Sequence, residues 1–431
     1  MNEKMDIFQD GYLIIEGTKI IEIGNSYIEL KEHIGKEDNY IDALSGILMP
    51  GMINTHCHVS MMPFRSLGDD CKNRLQTFVF PLEIEAMNQE LVYQGARYGI
   101  CELLLSGITT FFDMYYFEDE VAKACAEQGI RAILGETVID METCESANKN
   151  SGYEYAIKFM KDWSENDLIT PTIAPHATHT VKPYMIKKAH DLAVKHNVMF
   201  SMHVYEMDDE MALFAQKYEK TPVEFLEDIG VLDQHALLVH AIHTTDHDIR
   251  IMKEHGVSVA HCIVANTKSG KGIAPIYSML SSGIQVGIGT DSAMSGNSLD
   301  LFTQMRMIAT SQKTKYHDRS ILTAAEIVKM ATIGGAKALH MESKIGSLEV
   351  GKVADITLVE TQSVNMFPNF NPYSTLVYAA NAGNVDTVIV NGQILVHGKK
   401  LVNTTLEKEK QALENLMLPF YQKAYHFREF T

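Results

Sequence analysis

The chain has 431 residues, 46% apolar and 21% charged, an ordinary globular composition with room for one large domain and a smaller one. Its formal charge of −18 argues against DNA or RNA as the main partner, because phosphate binding needs a basic face, and turns attention to small or neutral ligands. The start, "MNEKMDIFQDGYLIIEG", holds no apolar signal core, and no run reaches the roughly 18 apolar residues of a bilayer span, so the expectation is a cytoplasmic protein without a membrane partner.

In chain order, residues 11–23, "GYLIIEGTKIIEI", alternate apolar and polar around a glycine turn and are predicted to form a β-hairpin. The same texture returns only near the other end, in "GSLEVGKVADITLVE" (346–360) and "VDTVIVNGQILVHGKKLV" (385–402), the latter with an Asn-Gly hairpin turn at 391–392. Residues 1–49 and 346–431 are therefore expected to build one small, β-sandwich-like domain from both chain ends.

Between them, over 50–345, eight β-rich runs recur with helical texture between several: "GMINTH", "GITTFFDM", "RAILGETVI", "LITPTIAP", "NVMFSMHV", "ALLVHAI", "VSVAHCI" and "QVGIGT". That alternation is what a (β/α)8 TIM-type barrel of the α/β class requires. An open doubly wound sheet is the alternative, but no GxGxxG follows the first run. Six cysteines (Cys57, Cys71, Cys101, Cys125, Cys144 and Cys262) form no CxxC pair and suit a reduced thiol set.

Barrel enzymes carry their chemistry at the C-terminal strand ends, and polar residues gather there. His56 and His58 close the first run, His176 the fourth, His203 and Glu206 the fifth, His240 and His243 the sixth, His261 the seventh and Asp291 the eighth. In an extended segment residues i and i+2 point the same way, so His56 and His58 can converge on one ion while Cys57 turns aside. Alone, HxH is more often two neighbouring histidines than a site. With His203 and Asp291 added, three nitrogens and one oxygen suit a single divalent transition metal, Zn²⁺ first and Fe²⁺ second, with a position left for water. Glu206, three residues after His203, is placed either as a proton carrier beside that water or as a solvated loop acid like the "MDDE" beyond it. His240 either donates to a developing oxyanion or is a satisfied core residue.

"PGMINTHCH", "MHVYE", "LLVHAIHTT", "GIGTD" and "GSLEVGKVADITLV", in this order, resemble the amidohydrolase superfamily, and within it the mononuclear deaminase and chlorohydrolase branch. The resemblance implies His56, His58, His203 and Asp291 as metal ligands, Glu206 as proton shuttle, and His240 as the group steadying the tetrahedral centre. It further implies Glu83, in "FPLE", as an acid presented to ribose hydroxyls, and His176, in "APHATHT", as a histidine aimed at the substrate ring. A surface helix residue is the other reading of Glu83. The implied reaction is hydrolytic deamination of an amino-substituted nitrogen heterocycle, with an adenine nucleoside of the methylthioadenosine or 5'-deoxyadenosine type first and guanine, pterin or triazine compounds second. A homo-oligomer is also implied; family members begin with one more strand ahead of the hairpin, so Met1 is expected to mark a truncated or alternative start.

Several positions depart from the branch. Glu136 stands where a homocysteine-type nucleoside deaminase can place an Arg for the substrate carboxylate, and an acid there would repel that group. "HCIVANTKSGKG" replaces the usual Pro and Ser of "HCPxSN", and Phe78 and Phe80 replace the usual tryptophan before "PLE". The fourth run ends in His176 and carries no carboxylated-lysine signature, which favours one metal over two. The HxE and PCxxC pattern of cytidine deaminases is absent. A non-catalytic, dihydropyrimidinase-like assembly protein is the competing class, but such a protein is expected to have lost metal ligands. Arg65, Asp69 and Asp70 are expected either to shape the substrate mouth or to cap a helix.

Overall fold

A computed structural model describes residues 1–25, 30 and 40–427. Its centre is a closed barrel of eight parallel strands: β4 (Met52–Cys57), β5 (Ile108–Tyr115), β6 (Arg131–Val138), β7 (Ile169–Pro175), β8 (Phe200–Val204), β9 (Ala236–His240), β10 (Ser258–His261) and β11 (Gln285–Ile288). They neighbour one another in chain order, and β11 closes onto β4. The strands read as nearly continuous apolar runs because parallel barrel strands are covered on both faces. Ile53, Phe112, Ile133, Met199, Leu237, Val239 and Ala260 fill the barrel interior, while Leu134, Val204 and Leu238 pack outward into the main core shared with the helices. The (β/α)8 barrel expected from the sequence is the observed architecture.

Both ends of the chain contribute the β-structure beside it. β1 (Tyr12–Glu16) and β2 (Lys19–Gly24) form the hairpin. A five-stranded antiparallel sheet runs in the order β15 (Lys400–Leu401), β14 (Gln393–His397), β13 (Val385–Val390), β12 (Ile356–Val359) and β3 (Ile47–Pro50). Ile20, Leu348, Ile356 and Ile389 form a small core between hairpin and sheet, with Leu13, Ile15 and Leu48 against it. Gly392 takes φ +76°, the left-handed conformation an Asn-Gly hairpin turn needs, and an added Cβ there would lie 2.0 Å from the Gly17 carbonyl oxygen. The terminal helix Leu406–His426 returns to the barrel. Its buried Glu409 pairs with Arg97 on the helix Gln89–Leu105, Nη2 to Oε1 2.7 Å, and Phe420 packs edge-on against Phe64 at 4.9 Å.

Candidate active site

Hydrogen bonds across the closing seam set the site's geometry. Asn54 on β4 donates from Nδ2 to Thr290 Oγ1 at 2.7 Å, and its Oδ1 accepts the Thr290 N–H at 3.1 Å. The His56 carbonyl accepts the N–H groups of Thr290 and Asp291 at 3.0 and 3.1 Å. These bonds bring Asp291, three residues past β11, against the two histidines of β4. On the other side, buried Asp113 of β5 accepts the Val59 N–H at 2.6 Å and the Cys57 thiol at 3.2 Å. Cys57 thus turns aside, as the i, i+2 rule expects.

His56, His58 and His203 bring ligand atoms within 4.8 Å of one another, and His58 Nε2 lies 3.3 Å from Asp291 Oδ1. The ring Nδ1 atoms of His58 and His203 face backbone carbonyls, those of Met114 and His176. Each carbonyl calls for a proton on Nδ1 and leaves Nε2 to a ligand. His203 Nε2 is 3.2 Å from His56 Nε2. Burial first, and the neighbouring histidine charges second, hold His56 and His203 well below the ordinary imidazole pKa. Two neutral imidazole lone pairs this close repel unless positive charge lies between them. At His58 burial opposes protonation, but Asp291 outweighs it and raises the pKa to about 9. With His56 and His203 held neutral and Asp291 beside His58, the three nitrogens and one carboxylate fit a divalent transition metal.

Glu206 and His240 stand over this cluster. His240 Nε2 is 3.7 Å from Glu206 Oε1, and its Nδ1 lies 2.9 Å from Asn266 Oδ1. Burial would raise the Glu206 pKa. Lys271 above all, with His240 and His203, instead holds the carboxylate well below its usual range, and Lys271 Nζ is ion-paired to Glu206 Oε1. The Glu206 N–H donates to Glu210 Oε2 at 3.0 Å, and Glu210, in the "MDDE" run, is itself buried. Glu206 and Glu210 are thus tied together, while Asp208 and Asp209 between them are exposed. Tyr205, His240, Ala241 and Asp291 all take positive φ, from 50° to 71°. Such conformations cost a residue with a Cβ and gather where surrounding structure aims side chains.

Glu83 lies on the helix Phe80–Ala86 and is buried, with Tyr115 Oη donating to its Oε1 at 2.9 Å. Burial raises its pKa to about 7, against the Tyr115 hydrogen bond and the His58 charge. His176 Nδ1 lies 2.9 Å from Thr180 Oγ1, and its ring is 5.0 Å from that of His203 and 5.6 Å from Phe80. Burial lowers the His176 pKa to about 3. Glu136 is buried on β6 and accepts the Glu118 N–H at 2.9 Å, at the first turn of the helix Glu118–Gln128. Burial and then the nearby Glu145 charge push its pKa well up.

In the tail after the HxH motif, Arg65 and Asp69 make ion pairs with other elements. Arg65 pairs with Glu102 on the helix Gln89–Leu105. Asp69 receives Lys268 Nζ at 2.6 Å and Asn297 Nδ2 at 3.0 Å, which joins this segment to the loops after β10 and β11. Asn266, Lys271, Glu210 and Asp113 were not singled out from sequence. Asn266 lies on the short helix Ile263–Lys268 and Lys271 in the loop after it, a stretch whose sequence shows no periodicity. Asp113 offered one signal, a charge inside the apolar run "GITTFFDM".

A closed parallel barrel with histidines and a carboxylate at its C-terminal mouth has the architecture of a metal-dependent barrel hydrolase. The Amidohydrolase family description matches residues 47–395, and the chain belongs to that family. It is 35% identical over 398 residues to a 5-methylthioadenosine/S-adenosylhomocysteine deaminase of Thermodesulfovibrio yellowstonii, covering 92% of this chain and 91% of the relative. It is 37% identical over 403 residues to a 5'-deoxyadenosine deaminase of Methanobrevibacter smithii, covering 93% and 91%. Among solved structures, an adenosine deaminase from Xanthomonas campestris with bound zinc superposes with a TM-score of 0.92 at 27% identity, over 98% of this chain and 97% of that one. Among the described residues, no helix is long and apolar enough to cross a membrane.

Proposed function

We propose that the protein is a zinc-dependent deaminase of adenine nucleosides whose 5' end is small and uncharged, of the methylthioadenosine or 5'-deoxyadenosine type. The observation that carries this reading is Glu206 and His240 placed together over the cluster of His56, His58, His203 and Asp291. The activities and the bound zinc named for the relatives support it. His56, His58, His203 and Asp291 would hold the ion. Zinc, when bound, supplies a Lewis acid that lowers the pKa of water from about 15.7 to about 7 and makes hydroxide available at neutral pH.

The chain's own residues then carry the chemistry. Glu206 accepts a proton from the attacking water and delivers it to the ring nitrogen as the new C–O bond forms, then takes the second proton from the added hydroxyl and passes it to the amino group as the C–N bond breaks and ammonia leaves. His240, held at Nδ1 by Asn266, presents Nε2 to the oxygen arriving on the ring carbon and steadies its charge. His176 faces the heterocycle. Glu83 receives the ribose hydroxyls. Glu136, buried where the branch can place an Arg, offers no cation to a substrate carboxylate, which supports 5'-deoxy or thioether nucleosides over S-adenosylhomocysteine.

The test is ammonia release from adenine nucleosides, guanine, pterins and aminotriazines by wild type and Glu83→Gln. The expected ranking puts 5'-deoxyadenosine and methylthioadenosine first, with kcat/KM on them falling at least tenfold in the variant and activity on free bases changing less. A free base ranked first, or equal losses on both classes, contradicts the nucleoside assignment. The same proposal includes cytoplasmic action on a small molecule, a barrel unit of 50–345 with a composite unit of 1–49 and 346–431, and pairing of two copies. Pairing is supported by Val364, Phe367 and Phe370, exposed on a stretch, residues 361–385, that carries no charged side chain in a chain of charge −18. Sedimentation at a single-chain mass would remove the pairing.

A further inference from the structure

We propose that Lys271 is a positioning residue for the proton carrier, locking Glu206 and His240 into one closed circuit through Asn266. The inference rests on the proposed deaminase reading, since it gives Lys271 a task only if Glu206 moves protons.

The circuit has four links. Lys271 Nζ pairs with Glu206 Oε1. The Lys271 N–H donates to the Asn266 carbonyl at 3.0 Å. The Asn266 side chain meets His240 Nδ1 at 2.9 Å. His240 Nε2 lies 3.7 Å from the same Glu206 oxygen. Asn266 and His240 are each about 1% exposed, so their link is sheltered from water, while Lys271 and Glu206 sit at the partly open mouth. The β8 and β9 ends that carry the two catalytic groups are also joined, because the Ala241 and Ile242 N–H groups donate to the Val204 and Tyr205 carbonyls at 3.1 Å each.

The loop is shaped to deliver this lysine. Gly270 and Gly272 flank it with φ of +68° and +118°, and an added Cβ at Gly272 would come within 3.1 Å of Ile242 Cγ2. A φ of +118° is open to glycine and costly for other residues, so the two glycines turn the chain to bring Lys271 over the site. A free carboxylate at the end of a glutamate side chain samples several rotamers. An ammonium on one oxygen, with the Glu206 N–H fixed by Glu210, restricts that sampling. Displacing a reacting group by about 1 Å can cost about a hundredfold in rate, and Glu206 is the group whose placement matters at every proton step.

The test compares Lys271→Met and Lys271→Arg with wild type and with Glu206→Gln, all zinc-loaded and assayed for ammonia release. Lys271→Met is expected to lower kcat by about tenfold to a hundredfold, inside the range that general acid–base groups contribute, with KM changed less than threefold. Lys271→Arg should recover most of the loss, because a cation still reaches Glu206. Zinc content and thermal midpoint should match wild type in both variants. A Lys271→Met kcat within twofold of wild type would overturn the proposal. So would a loss that appears mainly in KM, is not recovered by Arg, or follows zinc content or the thermal midpoint. Glu206→Gln separates the two levels of inference. If it still releases ammonia at the wild-type rate, the assignment of Glu206 fails, whereas an inactive Glu206→Gln beside an unimpaired Lys271→Met rejects the positioning role alone.

Discussion

Glu83 shows how much a single position depends on its surroundings. The sequence left it between a surface helix and a ribose contact, and the fold buries it beneath Tyr115. Burial raises its pKa to about 7, against about 4.3 in an unfolded chain. Between those values the folded protein holds a proton that the unfolded chain has released. The group's stabilising contribution is therefore present below about pH 4.3 and is lost as pH rises through about 7, amounting to on the order of 3 kcal/mol. Urea unfolding of the metal-free protein at pH 5 and pH 7.5 should show wild type losing more stability with rising pH than Glu83→Gln. Equal losses would contradict the assignment. The metal-cluster residues were legible because each histidine or aspartate ends an apolar run, where a barrel places its chemistry. Asn266 and Lys271 were not, because their meaning comes from contacts across the barrel mouth that spacing along the chain does not encode.

Among the elements, a buried ion pair helps join the barrel to the small sheet. Arg131 at the start of β6 donates from Nε to Asp355 Oδ2 at 2.8 Å and from Nη2 to Oδ1 at 3.2 Å, with both side chains under 5% exposed. Asp355, just before β12, also accepts the Asn391 N–H at 2.7 Å. Removing one partner strands the other charge in the interior, which typically costs about 3–5 kcal/mol. Asp355→Ala should lower the urea unfolding free energy by about that amount, and a loss under about 1 kcal/mol would contradict the junction's role. The elements themselves read well from sequence. Burial on both faces made the eight barrel strands apolar runs, and exposure on one face made the hairpin alternate. Closure between β11 and β4, and the return of the helix Leu406–His426 onto the barrel, depend on long-range packing that local pattern does not carry.

For the whole molecule, the composition, the barrel and the site agree on a small neutral ligand. The charge of −18 disfavours a large anionic partner. The family assignment fixes the hydrolase class. The proposed residue roles rest on the site's geometry, and the metal and the nucleoside on that geometry together with the named relatives. They stand or fall together in one titration: metal-free protein given increasing zinc, with ammonia release from 5'-deoxyadenosine recorded at each point. Activity should rise linearly to one zinc per chain and then level off. It should be abolished when His203→Ala is titrated in the same way. No ammonia at one equivalent of bound zinc, or equal rates with and without metal, would contradict the account.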